Sequence, residues 1–98
     1  MAFIRTEQTD RLVRAFLSLE TEEEGYRFLE DVCTFKEIYA IAQRLEVARD
    51  LAQGASYQKT IEKTGASSAT IGRVKRCLDY GAGGYRLILD RLDGEEKG

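Results

Sequence analysis

The chain has 98 residues, 43% hydrophobic and 33% charged, and its 15 Lys and Arg against 17 Asp and Glu give a formal net charge of -2. That suffices for one compact domain with a thin core, and no apolar run approaches the ~20 residues needed to span a bilayer, so no membrane partner is expected. With no histidine and only two cysteines, the common metal sites and nucleophile-base pairs lack their ligands and bases, so neither a metal centre nor an enzyme is expected. The opening "MAFIRTEQTD" lacks a signal-peptide core, which makes the cytoplasm the expected compartment.

The absence of proline and an apolar spacing of three and four residues predict an all-α protein. A first helix is expected over Thr9–Leu19, with Leu12, Val13, Phe16 and Leu17 on one side. Thr21 and Glu24 have capping-box spacing, in which the hydroxyl and the carboxylate each satisfy an otherwise unpaired N–H. The helix they open carries Tyr26, Phe28, Leu29 and Val32 on a broad apolar face. Its acids (Glu20, Glu22, Glu23, Glu24, Glu30 and Asp31) suit a helix N-terminus and a solvated face better than a catalytic pair. Thr34 and Glu37 repeat the box ahead of a long helix whose Ile38, Ile41, Ala42, Leu45, Ala48, Leu51 and Ala52 make a continuous stripe, and Gly54 stops it. Two short helices, Tyr57–Thr64 and Ser68–Tyr80, flank "TGAS". After "GAGG" a last helix over 83–92 carries Tyr85, Leu87, Ile88, Leu89 and Leu92, and residues 93–98, "DGEEKG", are expected to form a flexible tail. Cys33 and Cys77 sit among apolar helical positions, where a thiol serves as a small buried hydrophobe without a disulfide.

The segment "SYQKTIEKTGASSATIGRVKRCL" has the parts of a helix-turn-helix: a short helix, a turn containing Gly65, and a second helix whose Ile71 and Val74 can pack back on Ile61. Ser67 suits the N-cap of the second helix. At about 100° per residue, placing Ile71, Val74 and Leu78 inward turns Ala69, Gly72, Arg73 and Arg76 outward, flanked by Ser68, Thr70 and Lys75. Small residues admit a helix to the major groove, and hydroxyls and guanidinium groups bond bases or phosphates. Tyr57, Gln58 and Lys59 open the preceding helix, where free N–H groups and an ammonium suit phosphate. From Lys63 to Leu78 there are four cations (Lys63, Arg73, Lys75 and Arg76) and no acid, so the molecule is expected to present one end to DNA.

The run "AQRLEVARDL" followed by "TGASSATIGRVKRCL" closely resembles the YerC/YecD family of Trp repressor-like proteins, and the likeness covers most of the chain. The resemblance implies a six-helix fold, a helix-turn-helix for operator DNA, and an intertwined homodimer built largely from the N-terminal helices. The domain is then read as 1–53 mainly for dimerisation, 56–80 as the helix-turn-helix, and 83–92 as the C-terminal helix. The more distant Trp repressor binds tryptophan between its core and recognition helix, and Arg44 and Arg73 are the counterparts of two arginines of that site. Arg73 is therefore claimed both for DNA and for a ligand. Val74 and Cys77 stand where that repressor has Gly and Ser, and the first helix of the motif is one residue shorter. Without a ligand, Arg44 is expected to pair with Asp50 or Glu46 or to be solvated.

Residues and resemblance together point to a cytoplasmic, homodimeric, sequence-specific DNA-binding regulator, most simply a repressor of a near-palindromic operator. Its phosphate and base contacts are assigned to Tyr57, Gln58, Lys59, Ser67, Ser68, Ala69, Thr70, Gly72, Arg73, Lys75 and Arg76. No cofactor is required, and response to tryptophan or another small effector through Arg44 and Arg73 is left open. The competing class is a protein-interaction module that keeps the scaffold and works through its apolar N-terminal faces. A third is an effector sensor without operator preference.

Overall fold

A computed structural model describes residues 3–97. Among them are six helices and no strand: α1 Glu7–Ser18, α2 Glu22–Val32, α3 Phe35–Ala52, α4 Tyr57–Thr64, α5 Ser68–Tyr80 and α6 Gly84–Lys97. None of these six helices is long and apolar enough to cross a membrane. The chain divides into two units after Ile38.

The first unit holds α1, α2 and the opening turn of α3. α1 starts at Glu7 rather than Thr9, because Thr6 is its N-cap: the Thr6 hydroxyl accepts from the Thr9 N–H at 3.1 Å and Thr9 Oγ1 accepts from the Thr6 N–H at 2.8 Å. A threonine thus takes the place of the usual Glu or Gln in a capping box. At α2, Thr21 accepts from the Glu24 N–H as expected, but the Glu24 carboxylate reaches back one residue further, to the Glu20 N–H at 3.0 Å. Phe16 and Phe28 meet edge to face, ring centres 5.3 Å apart. No residue of either helix is buried, and Leu12, Val13, Phe16, Leu17, Tyr26 and Val32 are all exposed.

The second unit holds the core. Val47 and Ala48 of α3, Ala66 of the α4–α5 turn, Ile71, Val74 and Leu78 of α5 and Leu89 of α6 form one buried cluster, with Leu45, Leu51, Ile61 and Tyr85 at its edge. Full burial of each large aliphatic contributes about 1.5–3 kcal/mol, so α5, with three such residues, is the helix this core fixes most firmly. α3 ends where Gly54 adopts φ 88, and α4 and α5 have the boundaries expected. α6 runs on to Lys97 instead of ending at Leu92, so 93–97 of the expected tail are helical; Gly98, also in that tail, lies outside the described residues. Both cysteines are free, and Cys33 is half-buried. Cys77 is exposed rather than buried, because it falls on α5 just outside the arc closed by Val74 and Leu78.

The box at α3 is complete, with the Thr34 N–H donating to Glu37 Oε1 at 2.8 Å and the Glu37 N–H donating to Thr34 Oγ1 at 3.1 Å. The Thr34 N–H, and after it the Thr34 hydroxyl, hold the Glu37 carboxyl below its ordinary value of 4.5. A depressed folded-state pKa gives stability that is fully present above the unfolded value and is lost as pH falls through the folded one. Glu37→Gln is therefore expected to be less stable than the wild type near neutral pH, with the difference closing below pH 4.5. Urea unfolding from about pH 7 to about pH 3 measures it, and an unchanged difference at the acid end would contradict a charge-assisted cap.

Candidate nucleic-acid interface

The turn between α4 and α5 is wired by short hydrogen bonds. Ser56 caps α4 by accepting from the Lys59 N–H at 3.2 Å. At the far end Gly65 adopts φ 73, a left-handed conformation that suits glycine, and its N–H donates to the Ile61 carbonyl at 2.9 Å. The Thr64 hydroxyl donates to the Thr60 carbonyl at 2.7 Å and accepts from the Ala66 N–H at 3.2 Å. Ser67 Oγ then accepts from the Thr70 N–H at 3.2 Å and starts α5. Ser67 Oγ also lies 3.1 Å from Thr70 Oγ1, to which its proton is donated. The Ser67 hydroxyl is thereby engaged within the chain, and the Thr70 hydroxyl keeps its proton for an outside acceptor.

With Ile71, Val74 and Leu78 buried, Ser68, Ala69, Gly72, Arg73 and Arg76 of α5 are exposed, and Thr70 and Lys75 are half-buried at the margins. Tyr57, Gln58 and Lys59 are exposed at the start of α4, where Gln58 Nε2 donates to Glu62 Oε1 at 3.2 Å. The structure thus gathers the residues singled out in sequence onto the two helices of one motif, and Ala69 and Gly72 make its outer surface shallow.

Charge is distributed differently from the linear count. Lys63 Nζ pairs with Asp50 at 3.2 Å, and Lys75 Nζ pairs with Asp79 at 3.2 Å, where Arg86 also approaches to 3.8 Å. Two of the four cations are thus partly neutralised within the chain. Lys59, Arg73 and Arg76 form no ion pair among the described residues, and these carry the positive field of the motif. Asp79 was legible as the i+4 partner of Lys75. Asp50 was not, because nothing local couples it to Lys63. Its side chain is 4% exposed and its Oδ2 has no hydrogen-bond partner.

The expected pairing of Arg44 with Asp50 or Glu46 is not formed: Asp50 is taken by Lys63, and Arg44 makes no ion pair among the described residues. Arg44 is half-buried and borders an open, largely apolar hollow of about 490 Å³ with Ile41, Leu45, Cys77, Tyr85, Ile88 and the Gly81–Gly84 segment. Arg73 does not line that hollow. The two arginines assigned to a shared ligand clamp therefore do not both border this hollow, and Arg73 is exposed on the outer face of α5. Cys77, at the rim, was not among the residues singled out for a ligand.

A family model described as Trp repressor protein matches residues 7–93. The uncharacterized protein YerC of Bacillus subtilis (strain 168) is 52% identical over 93 residues, covering 95% of this chain and 89% of that protein. Among solved structures, a Staphylococcus aureus protein assigned as a Trp repressor superposes with a TM-score of 0.88 at 46% identity, covering 91% of this chain and 89% of its own. A TrpR-like protein from Eubacterium eligens ATCC 27750 superposes with a TM-score of 0.87 at 47% identity, covering 91% and 92%.

A Cβ built on Gly72 meets nothing within 4 Å, so no internal packing calls for glycine there. Gly72→Ala is expected to raise folding stability by about 0.5–1 kcal/mol through reduced backbone entropy in the unfolded chain. Urea denaturation checks this, and a loss of stability would reveal an internal requirement at that position.

Proposed function

The chain belongs to the Trp repressor protein family, and from that membership we propose that it is a sequence-specific DNA-binding transcription regulator. In this reading it acts as a repressor, binding a near-palindromic operator as a homodimer. The observation that carries the reading is the sorting of α5: Ile71, Val74 and Leu78 are buried, and the opposite side offers Ser68, Ala69, Gly72, Arg73 and Arg76, with both guanidinium groups outside any ion pair among the described residues. Ser68, Thr70, Gly72 and Arg73 are assigned to base edges in the major groove, with Ala69 admitting the helix and Ser67 setting its start. Tyr57, Gln58, Lys59, Lys75 and Arg76 are assigned to phosphates.

Residues 1–53 are assigned mainly to dimerisation, 56–80 to the helix-turn-helix and 83–92 to the C-terminal helix. Exposed Leu12, Val13, Phe16, Leu17, Tyr26 and Val32 support pairing, because α1 and α2 bury no residue and a second copy would cover their apolar faces. Two recognition helices related by a two-fold axis then sit about 34 Å apart, one turn of B-DNA. The cytoplasm is the proposed compartment and no catalysis is assigned. The position of Arg73 favours a DNA contact over a ligand clamp, so an effector, tryptophan or another small molecule, is assigned at most to the hollow beside Arg44.

Selection of bound sequences from a random DNA pool, with and without candidate amino acids, tests this reading. A palindromic consensus and a sedimentation mass twice that of the chain are expected. Saturable protein capture with no salt-sensitive DNA retention would instead indicate a protein-interaction module. On random DNA, Arg76→Ala is expected to weaken binding and reduce the salt slope by about 1, whereas Lys75→Ala, which removes a cation already shared with Asp79, should change the slope less. Equal slopes for wild type and Arg76→Ala would remove Arg76 from the phosphate contacts.

A further inference from the structure

We infer that Gln43 of α3 is a positioning residue for α5, fixing its tilt through a hydrogen bond to the Thr64 carbonyl; the inference rests on the DNA-reading function proposed above. Gln43 Nε2 donates to the Thr64 carbonyl at 3.1 Å in half-buried surroundings, across 21 positions of sequence.

Thr64 is the last residue of α4, where helical carbonyls lose their intrahelical partners. The Ile61 carbonyl is satisfied by the Gly65 N–H and the Thr60 carbonyl by the Thr64 hydroxyl. Gln43 takes the Thr64 carbonyl, so this turn is held from another helix as well as by its own cap. Thr64 is also tied to the start of α5, because its hydroxyl accepts the Ala66 N–H, Ala66 is 2% exposed in the core, and Ser67 is the N-cap of α5. Ser67 lies only a few positions beyond the anchored carbonyl, so a shift at Thr64 is passed to Ala69 and Gly72 with little slack.

The packing around it cannot replace this tie. Ile61 packs against the apolar cluster that contains Ile71, and such contact is non-directional and tolerates small tilts, whereas a hydrogen bond fixes distance and direction. The neighbouring tie between Lys63 and Asp50 is a weaker constraint on geometry. Its lysine side chain is 68% exposed on a flexible stem, and the pair uses only one oxygen of the buried carboxylate. Gln43, Glu46, Asp50, Lys63 and Thr64 border one open hollow of about 380 Å³, which places both ties on the same side of α3.

Gln43→Met keeps length, helix propensity and neutrality and removes the side-chain amide, and with it the donor to Thr64. Affinity for the selected sequence is expected to fall about five-fold, the size of one neutral hydrogen bond, with affinity for random DNA and its salt slope unchanged and the unfolding midpoint lowered only by the loss of that one half-buried hydrogen bond. Residual dipolar couplings of free wild type and variant are expected to show α5 reoriented relative to the 39–52 part of α3. A fall shared equally by selected and random DNA, no loss of discrimination, or an unchanged α5 orientation would each overturn the inference. Should the wild type prefer no sequence, the DNA-reading function fails, and the couplings still decide whether Gln43 sets the orientation of α5.

Discussion

The roll of α5 about its own axis is the constraint on which the rest of this molecule depends. Ile71 and Val74 are essentially inaccessible and Leu78 nearly so, and together they supply three of the seven buried apolar residues of the core cluster. In so small a core, turning α5 would expose three large aliphatics at about 1.5–3 kcal/mol each, which few other contacts could offset. Burial of one side of the helix therefore determines the other, and Ala69, Gly72, Arg73 and Arg76 face outward because their neighbours cannot.

Polar groups refine what the core begins. Serine caps at Ser56 and Ser67, left-handed Gly65 and the double use of the Thr64 hydroxyl set where each helix of the motif starts and stops. Ion pairs then decide which cations are left to act at a distance. Asp50 and Asp79 absorb part of the field of Lys63 and Lys75, so the motif is less basic than its composition, and its positive charge is concentrated at Lys59, Arg73 and Arg76. A chain of net charge -2 can in this way present a local cationic surface without being basic overall.

Structure was most legible in the sequence where it is dictated locally. α4 and α5 have the boundaries expected, with Gly65 and Ser67 read as turn and N-cap, because such punctuation is short-range chemistry, and the inward arc of α5 came from helical period alone. The start of α1 was displaced because Thr9 acts as the reciprocal acceptor normally supplied by Glu or Gln. The end of α6 had no stop signal strong enough to override helix continuation past Gly94, a residue whose cost in a helix is only about 1 kcal/mol. Contacts between distant positions were beyond local rules: Lys63 with Asp50 and Gln43 with Thr64 depend on how α3 lies against α4. The exposed state of Cys77 depends likewise on which edge of α5 the core leaves open.

These long-range contacts give α3 a sorted circumference from Tyr39 onward. Tyr39, Gln43, Glu46 and Asp50, spaced at three and four residues, fall on one side and border the hollow next to α4. Val47, Ala48 and Leu51 face the core, and Ile41, Arg44 and Leu45 border the second hollow next to the start of α6. The helix thus separates two tasks by angle: holding the α4–α5 turn on one side and lining a largely apolar recess on the other. Arg44 belongs to the recess and Arg73 to the outer face of α5, so a ligand in the recess would act on α5 through its Cys77 edge. Any displacement of α5 from that side would have to work against the burial of Ile71, Val74 and Leu78, which hold its roll most tightly.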